Sequence, residues 1–146
     1  MRSMARGTPA PDLDALLGLW EIPPSERDDP VGDFAALYAD PVLINGVPTP
    51  VVDLVARATA LHRAFRDPAT ELLDVVREGS KIAFAFRRTA THVGAWPTPL
   101  GEVAPTGERL TLMGMDILTV ESGRVTAIWV LADDLAVLLG AGGHRL

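Results

Sequence analysis

At Asp67-Pro68 the chain changes its period, and that change limits the folds open to it. Upstream, apolar residues recur at the three- and four-residue spacing of a helix, and downstream they alternate as in a strand. Thr49-Pro50 reads as a helix start, with a capping hydroxyl followed by proline at the first helical position. The stripe Val51, Leu54, Val55, Ala58, Leu61 and Phe65 then predicts a helix over Val51 to Phe65. Beyond Pro68, the segments 71–77, 81–92, 108–120 and 124–132 are rich in Val, Ile, Leu, Phe and Thr and predict strands. Glu78-Gly79-Ser80 and Glu121-Ser122-Gly123 are short enough to be hairpin links between neighbours. Helices followed by an antiparallel meander predict an α+β architecture, with the helices on one face of a curved sheet.

Shorter signals complete the outline. Asp12 to Trp20 has helical spacing with Asp12 as N-cap, and Pro23-Pro24 stop it. Ser25 to Pro30 is a charged loop, and Val31 to Ala39 is a second helix through Phe34, Leu37 and Tyr38. Asp40-Pro41 ends that helix, and 41–47 is a short strand closing on Gly46. Ala95 to Gly107 carries three prolines and two glycines and reads as a loop.

A chain of 146 residues, 48% hydrophobic and 22% charged, suits one domain over 1–146 with a sizeable core. Its net charge of −6 disfavours nucleic acid and anionic membrane, which require a basic face, so an apolar or neutral small molecule is the expected partner. The absence of cysteine removes thiolate chemistry, and no two of the three histidines have helix-face metal spacing, so no metal is expected. Met1 to Pro11 has two arginines but no apolar run of leader type and is expected to fray. No stretch reaches the ~20 apolar residues of a membrane helix, and a cytoplasmic location is expected.

The segment Gly123 to Leu139 runs as an apolar strand into an acid. By strict alternation Val125, Ala127, Trp129, Leu131 and Asp133 share a face. An acid beside Trp129 and Leu131 would lose hydration and become a better proton acceptor near neutral pH, and the same Asp133 would equally serve as N-cap of a following helix. Phe84, Phe86, Arg88 and His92 share one alternation face of another long strand. An inward Arg88 would need a carboxylate or an anionic ligand, with Asp116 an available ion-pair partner, whereas a bulge beside Arg87 would turn Arg88 outward, the reading adopted here. His92 reads either as a hydrogen-bond donor to an oxyanion or as a strand-end histidine satisfied by backbone. His62, inside the apolar helix stripe, reads as a hydrogen-bonded core residue or a ligand contact. Met113 and Met115 suit core or pocket lining. Trp96, in the proline-rich loop, covers a pocket mouth or a dimer surface, or is simply exposed. Apolar residues on both alternations, Leu110 with Met113 and Ile117 with Leu118, predict that the outer sheet face is covered in a homodimer.

The run Leu61 to Gly94 resembles the middle of SnoaL-like polyketide cyclases, also called ester cyclases, through Phe65, Gly79, Thr91, His92 and Gly94. Pro105-Thr106-Gly107 resembles that family's Pro-Thr-Gly loop, and Trp129 with Asp133 resembles its strand-end Trp and acid. The similarity spans about Phe34 to Leu139. It implies the α+β barrel, or cone, of the nuclear-transport-factor-2-like superfamily, in which N-terminal helices pack in a strongly curved, mainly antiparallel sheet around a deep pocket. It further implies a cofactor-free cyclase or isomerase acting on an apolar, oxygenated, polyketide-like substrate, with Asp133 as general base and His92 facing a carbonyl or enolate oxygen. Trp129, Phe84, Phe86, Arg88, His62, Met115 and Trp96 are the expected substrate contacts. Relatives on this fold hydrolyse epoxides or bind ligands without turnover, so a binding or dimerisation domain is the alternative. The chain departs from the family at Ala127, where an acid is usual, at Arg88, where an apolar or small residue is usual, and after Leu139, where no Gln follows.

Overall fold

The computed structural model of the chain describes residues 11–134 and 137. Residues 1–10 of the segment expected to fray, and the Gly-rich end after Leu139, lie outside the described residues. Helix α1, Leu13–Glu21, starts where expected, with the Asp12 carboxylate accepting from Asp14 N–H at 3.1 Å, and it buries Leu13, Leu16, Leu17 and Leu19. Helix α2, Pro30–Leu37, follows a short 3-10 turn at Pro24–Glu26; Asp29 caps it through Gly32 N–H at 3.0 Å. It ends two residues before Ala39, because Tyr38 already begins strand β1, Tyr38–Ile44, and is buried in the core.

Helix α3, Val51–Ala64, matches the expected stripe, but Thr49 does not cap it. The Thr49 hydroxyl donates to Val47 O, and the Asp40 carboxylate, eleven residues upstream, accepts from Val51 N–H at 3.0 Å. A tertiary cap therefore replaces the local one, which no spacing rule in the sequence could show.

Six strands form one mixed sheet in the order β2-β1-β8-β7-β4-β3, with β2 spanning Val47–Thr49, β3 Phe65–Glu78, β4 Lys81–His92, β7 Arg109–Glu121 and β8 Arg124–Ala132. Every pairing is antiparallel except β1 with β8. Strands β5, Trp96–Thr98, and β6, Gly101–Val103, make a separate hairpin within the segment expected to be loop. Helix α3 touches both β1 and β3, which lie toward opposite edges of the sheet, so the sheet curls around the helix. This is the expected α+β cone, open between β2 and β3. No helix among the described residues is long and apolar enough to cross a membrane.

Strand β3 starts six residues earlier than expected and runs through Asp67-Pro68. A register shift between Arg66 and Ala69, with Asp67 at φ 53°, accommodates the proline as a bulge. Gly94 marks where the end of β4 meets α3: Gly94 N–H donates to Ala64 O at 3.0 Å, and a Cβ there would collide with the Arg63 backbone carbonyl. That contact gives the Thr-His-x-Gly run its physical reason.

Two registers decide which side chains enter the cone. Strand β4 pairs with β7 without interruption from Lys81 to Thr91, so Ile82, Phe84, Phe86, Arg88 and Ala90 all face inward. The expectation of an outward Arg88 is corrected, since no bulge interrupts that stretch. Strand β8 behaves oppositely. Val120 pairs Val125 and Thr119 pairs Ala127, leaving Thr126 as an extra residue that reverses the alternation. Val125 is fully buried, but beyond the bulge Ile128 and Val130 face in and Trp129 and Leu131 face out. The shared face drawn from Val125 through Asp133 is therefore broken at Thr126.

Candidate functional site

Two adjoining chambers occupy the inside of the cone. The inner one, about 230 Å³, lies against Leu54, Phe84, Phe86, Leu118, Ile128 and Val130, with Tyr38 and Asp116 among its polar walls. The outer one, about 200 Å³, is bounded by Phe65, Pro68, Trp96, Leu110 and Leu112, with His62 and Asp134 in its lining. Trp20, Leu61 and Arg88 belong to both, forming the partition between them. The lining is chiefly apolar with a few convergent polar groups, the usual character of a small-molecule site.

The partition is held by a chain of hydrogen bonds. His62 Nε2–H donates to Trp20 O at 2.9 Å, since a backbone carbonyl can only accept, and Trp20 Nε1–H donates to Tyr38 Oη at 2.9 Å. The Tyr38 hydroxyl keeps its own proton to offer, because burial pushes the phenol up to about 12. Arg88 Nε–H donates to Thr70 Oγ1 at 3.0 Å, and its guanidinium carbon lies 5.7 Å from the centre of the Phe86 ring.

Asp116 is the acid the chambers enclose. It sits on β7 opposite Phe84 on one side and Val130 on the other, and burial pushes its carboxyl up to about 6 against the opposing pull of Arg88. Its Oδ1 is buried and makes no hydrogen bond among the described residues. The expected Arg88–Asp116 pair is thus an electrostatic neighbourhood within one chamber and not a direct ion pair. Gly114, one inward position along, leaves room for the Phe86 ring, which a Cβ would meet at 2.5 Å.

The remaining expected site residues divide. Phe84, Phe86, Arg88, His62 and Trp96 line one or both chambers. Trp129 and Met115 are 57% and 66% exposed on the outer sheet face, on the far side of the sheet from Phe86, as the Thr126 bulge requires. His92 is completely buried behind Phe65 and Trp96, with ring centres 5.3 and 6.2 Å away. Its Nδ1 accepts from Thr106 N–H at 3.3 Å, while Gly107 N–H donates to His92 O, so it holds the Pro105-Thr106-Gly107 loop against the strand end. Asp133 stands exposed just past β8, its N–H donating to Met113 O and its carbonyl accepting from Val137 N–H. The neighbouring Asp134 reaches the outer chamber, where burial, and secondarily the Asp133 charge, push its carboxyl upward. Sequence reasoning missed Trp20, Tyr38, Leu61 and Asp134, and weighed Asp116 only as a partner for Arg88. An acid in the middle of a strand, in an otherwise apolar run, was the signal for Asp116.

Comparison with known proteins agrees with this geometry. Residues 26–139 match the family description SnoaL-like polyketide cyclase. A SnoaL-like polyketide cyclase candidate from Jannaschia sp. CCS1 superposes with a TM-score of 0.70 at 17% identity, covering 91% of this chain and 92% of that one. A SnoaL-like polyketide cyclase from Agrobacterium tumefaciens C58 gives 0.67 at 15% identity over 89% and 97%. A protein of ketosteroid isomerase-like fold from Catenulispora acidiphila, in complex with trimethylamine, gives 0.63 at 13% identity over 94% and 96%. At these identities the likeness establishes the fold. No curated protein matches the chain.

Proposed function

Because the chain belongs to the SnoaL-like polyketide cyclase family, we propose that it carries out cofactor-free cyclase or isomerase chemistry in the cone, with Asp116 as general base. The observation that carries this reading is the buried Asp116 Oδ1, an acceptor without a donor among the described residues in an apolar chamber, on a carboxyl raised to about 6 and so still largely ionised at pH 7.5. A ketone or ester carbonyl seated in the inner chamber would present its α-proton to Asp116. The Tyr38 hydroxyl, already positioned by Trp20, would donate to the oxygen that becomes the enolate. Return of the proton to another carbon gives isomerisation, and attack of the enolate on a second carbonyl of the same chain gives ring closure. A positioned base supplies about 10²–10⁴-fold, which suffices for an already acidic carbon.

The test is deuterium exchange at C1 of 2-tetralone, followed by NMR in D₂O. Wild type should accelerate exchange and Asp116→Asn should abolish the acceleration, while Asp133→Asn and Asp134→Asn retain it. Unchanged exchange in Asp116→Asn overturns the assignment. A second reading keeps the base at the mouth, as the family resemblance implied for Asp133, and the observation favouring it is that Asp134 lines the outer chamber. Loss of exchange in an Asp133 or Asp134 variant alone would establish it.

We further propose that the molecule acts as a homodimer through the outer sheet face. Val76, Met113, Met115, Ile117, Trp129 and Leu131 are all exposed, Leu131 at 80%, and an apolar area of this kind marks an interaction surface. Trp129→Glu should yield monomers in sedimentation at micromolar concentration with the thermal transition still cooperative.

A further inference from the structure

We propose that Arg88 is the anchor for a carboxylate of the ligand, so that the chambers take an apolar, carbonyl-bearing acid in preference to the corresponding ester. The inference rests on the chambers being a ligand site, and is independent of whether Asp116 is the base.

Four observations converge on Arg88. Its neighbours along the inward face of β4, Phe84, Phe86 and Ala90, are apolar, so Arg88 is the one charged group that this strand face presents to the chambers. It lies in the partition, addressing both chambers at once. Its single hydrogen bond among the described residues is Nε–H to Thr70 Oγ1, which fixes the plane of the group and uses one of five N–H donors. The Phe86 ring beside it, 5.7 Å from the guanidinium carbon, adds a second restraint on the same plane.

The nearby acids do not neutralise it by contact. Glu21 of α1 and Asp116 of β7 act on Arg88 through space, and neither forms a direct ion pair with it. Asp116 stays largely ionised at neutral pH, but its pull acts without contact and uses none of the guanidinium's donors. A half-buried guanidinium with a fixed plane and unspent donors in an apolar chamber matches a planar carboxylate, which accepts two parallel N–H bonds. Low surrounding polarity strengthens each such bond, while the net charge of −6 offers anions no long-range attraction. Selectivity must therefore come from the local contact. Among the described residues, the other cationic or imidazole groups on the chamber walls are Arg57 and His62 of α3. Arg57 is exposed, and His62 spends its Nε2–H on Trp20 O, so neither offers an equivalent fork.

The probes are 2-naphthoate and methyl 2-naphthoate, alike in body and differing in charge. Trp20 and Trp96 line the outer chamber, so their quenching reports occupancy, and Trp129→Phe removes the remaining tryptophan signal. In that background the acid should bind about tenfold or more tightly than the ester, the ratio expected for charge-assisted bonds. Arg88→Gln should collapse the ratio to about one with the ester's Kd unchanged, and Arg88→Lys should restore part of it. A readout needing no Arg88 variant is the Arg88 Nε–H resonance in ¹⁵N NMR, which should move on adding the acid and stay on adding the ester. Equal affinity for the two probes, a preference that survives Arg88→Gln, or no binding of either probe would overturn the proposal. Failure of the Asp116 reading would show instead in tetralone exchange, with the acid preference intact.

Discussion

Replacing Asp116 with Asn should stabilise the fold at neutral pH while removing the activity proposed for it. The reasoning starts from the carboxyl's rise from 3.8 to about 6 on folding. A carboxylate whose folded pKa is raised binds its proton more tightly in the folded state. Its contribution is thus neutral below the unfolded value, and stability is lost as pH climbs from about 4 through about 6. At about 1.4 kcal/mol per pH unit, a rise of this size corresponds to about 3 kcal/mol of destabilisation at pH 8. The shift already includes the favourable pull of Arg88, so that interaction is not counted again. Asn keeps the shape, never ionises, and escapes the cost.

Thermal unfolding of wild type and Asp116→Asn across pH 4 to 8 is the assay. The two proteins should melt together near pH 4 and separate above it, the variant gaining roughly 5–10 °C by pH 8 for a chain of this size. Asp134 is also raised and will slope both curves, but it cancels in the difference between them. Tyr38 titrates well above the window. Parallel curves, or a variant less stable than wild type at pH 8, would refute the argument that burial dominates at Asp116. Stability gained together with exchange lost is the signature of a residue retained for function.

Other substitutions test the architecture that holds the chambers. Gly94→Ala should cost more than Gly114→Ala in urea unfolding, because a Cβ at 94 collides with the Arg63 backbone carbonyl whereas one at 114 meets chiefly a side chain, the Phe86 ring, with the Leu131 carbonyl farther off at 3.1 Å; overpacking of this kind costs about 1–3 kcal/mol, and the reverse order would count against the contact. Asp40→Ala should lose about 0.5–2 kcal/mol by uncapping α3, and Thr49→Ala much less, in the same measurement. Asn45→Ala removes both side-chain bonds to Val130, at 2.9 and 3.2 Å, and should speed amide hydrogen exchange at Val130 N–H selectively.

What could be read in advance follows from the range of the interactions. The helices, the four long strands and the family resemblance are carried by neighbours in sequence, and each was found within a few residues except the start of β3, which lies six residues earlier than expected. The inside of the site was not, because it depends on one extra residue. Uninterrupted alternation correctly grouped Phe84, Phe86 and Arg88, since β4 pairs with β7 without a bulge. The same rule grouped Trp129 with Val125 and failed at Thr126, whose apolar and polar neighbours give no local sign of a bulge. Arg88 went astray for the opposite reason. A charge on an apolar face was reason to invoke a bulge there, yet the strand stays regular and the chamber accommodates the charge.

The bulge also separates two tasks on one strand. Were Thr126 paired in a regular ladder and not bulged, Trp129 and Leu131 would point into the cone and fill the chambers, leaving Ile128 and Val130 to the outer face. With the bulge, two large side chains leave the interior, and the space they would occupy is bounded by Ile128, Val130 and Asp116. Deleting Thr126 removes the bulge while leaving Val125, Ile128 and Val130 inward, because Ala127 still pairs Thr119 and Ile128 still pairs Leu118. Such a variant is expected to keep both the quenching of Trp20 and Trp96 by 2-naphthoate and the apolar outer strip, since the pairs that set the two faces beyond residue 126 are unchanged. A deletion variant that loses ligand quenching and the outer strip together would refute the argument that these pairs with β7 set the two faces of β8.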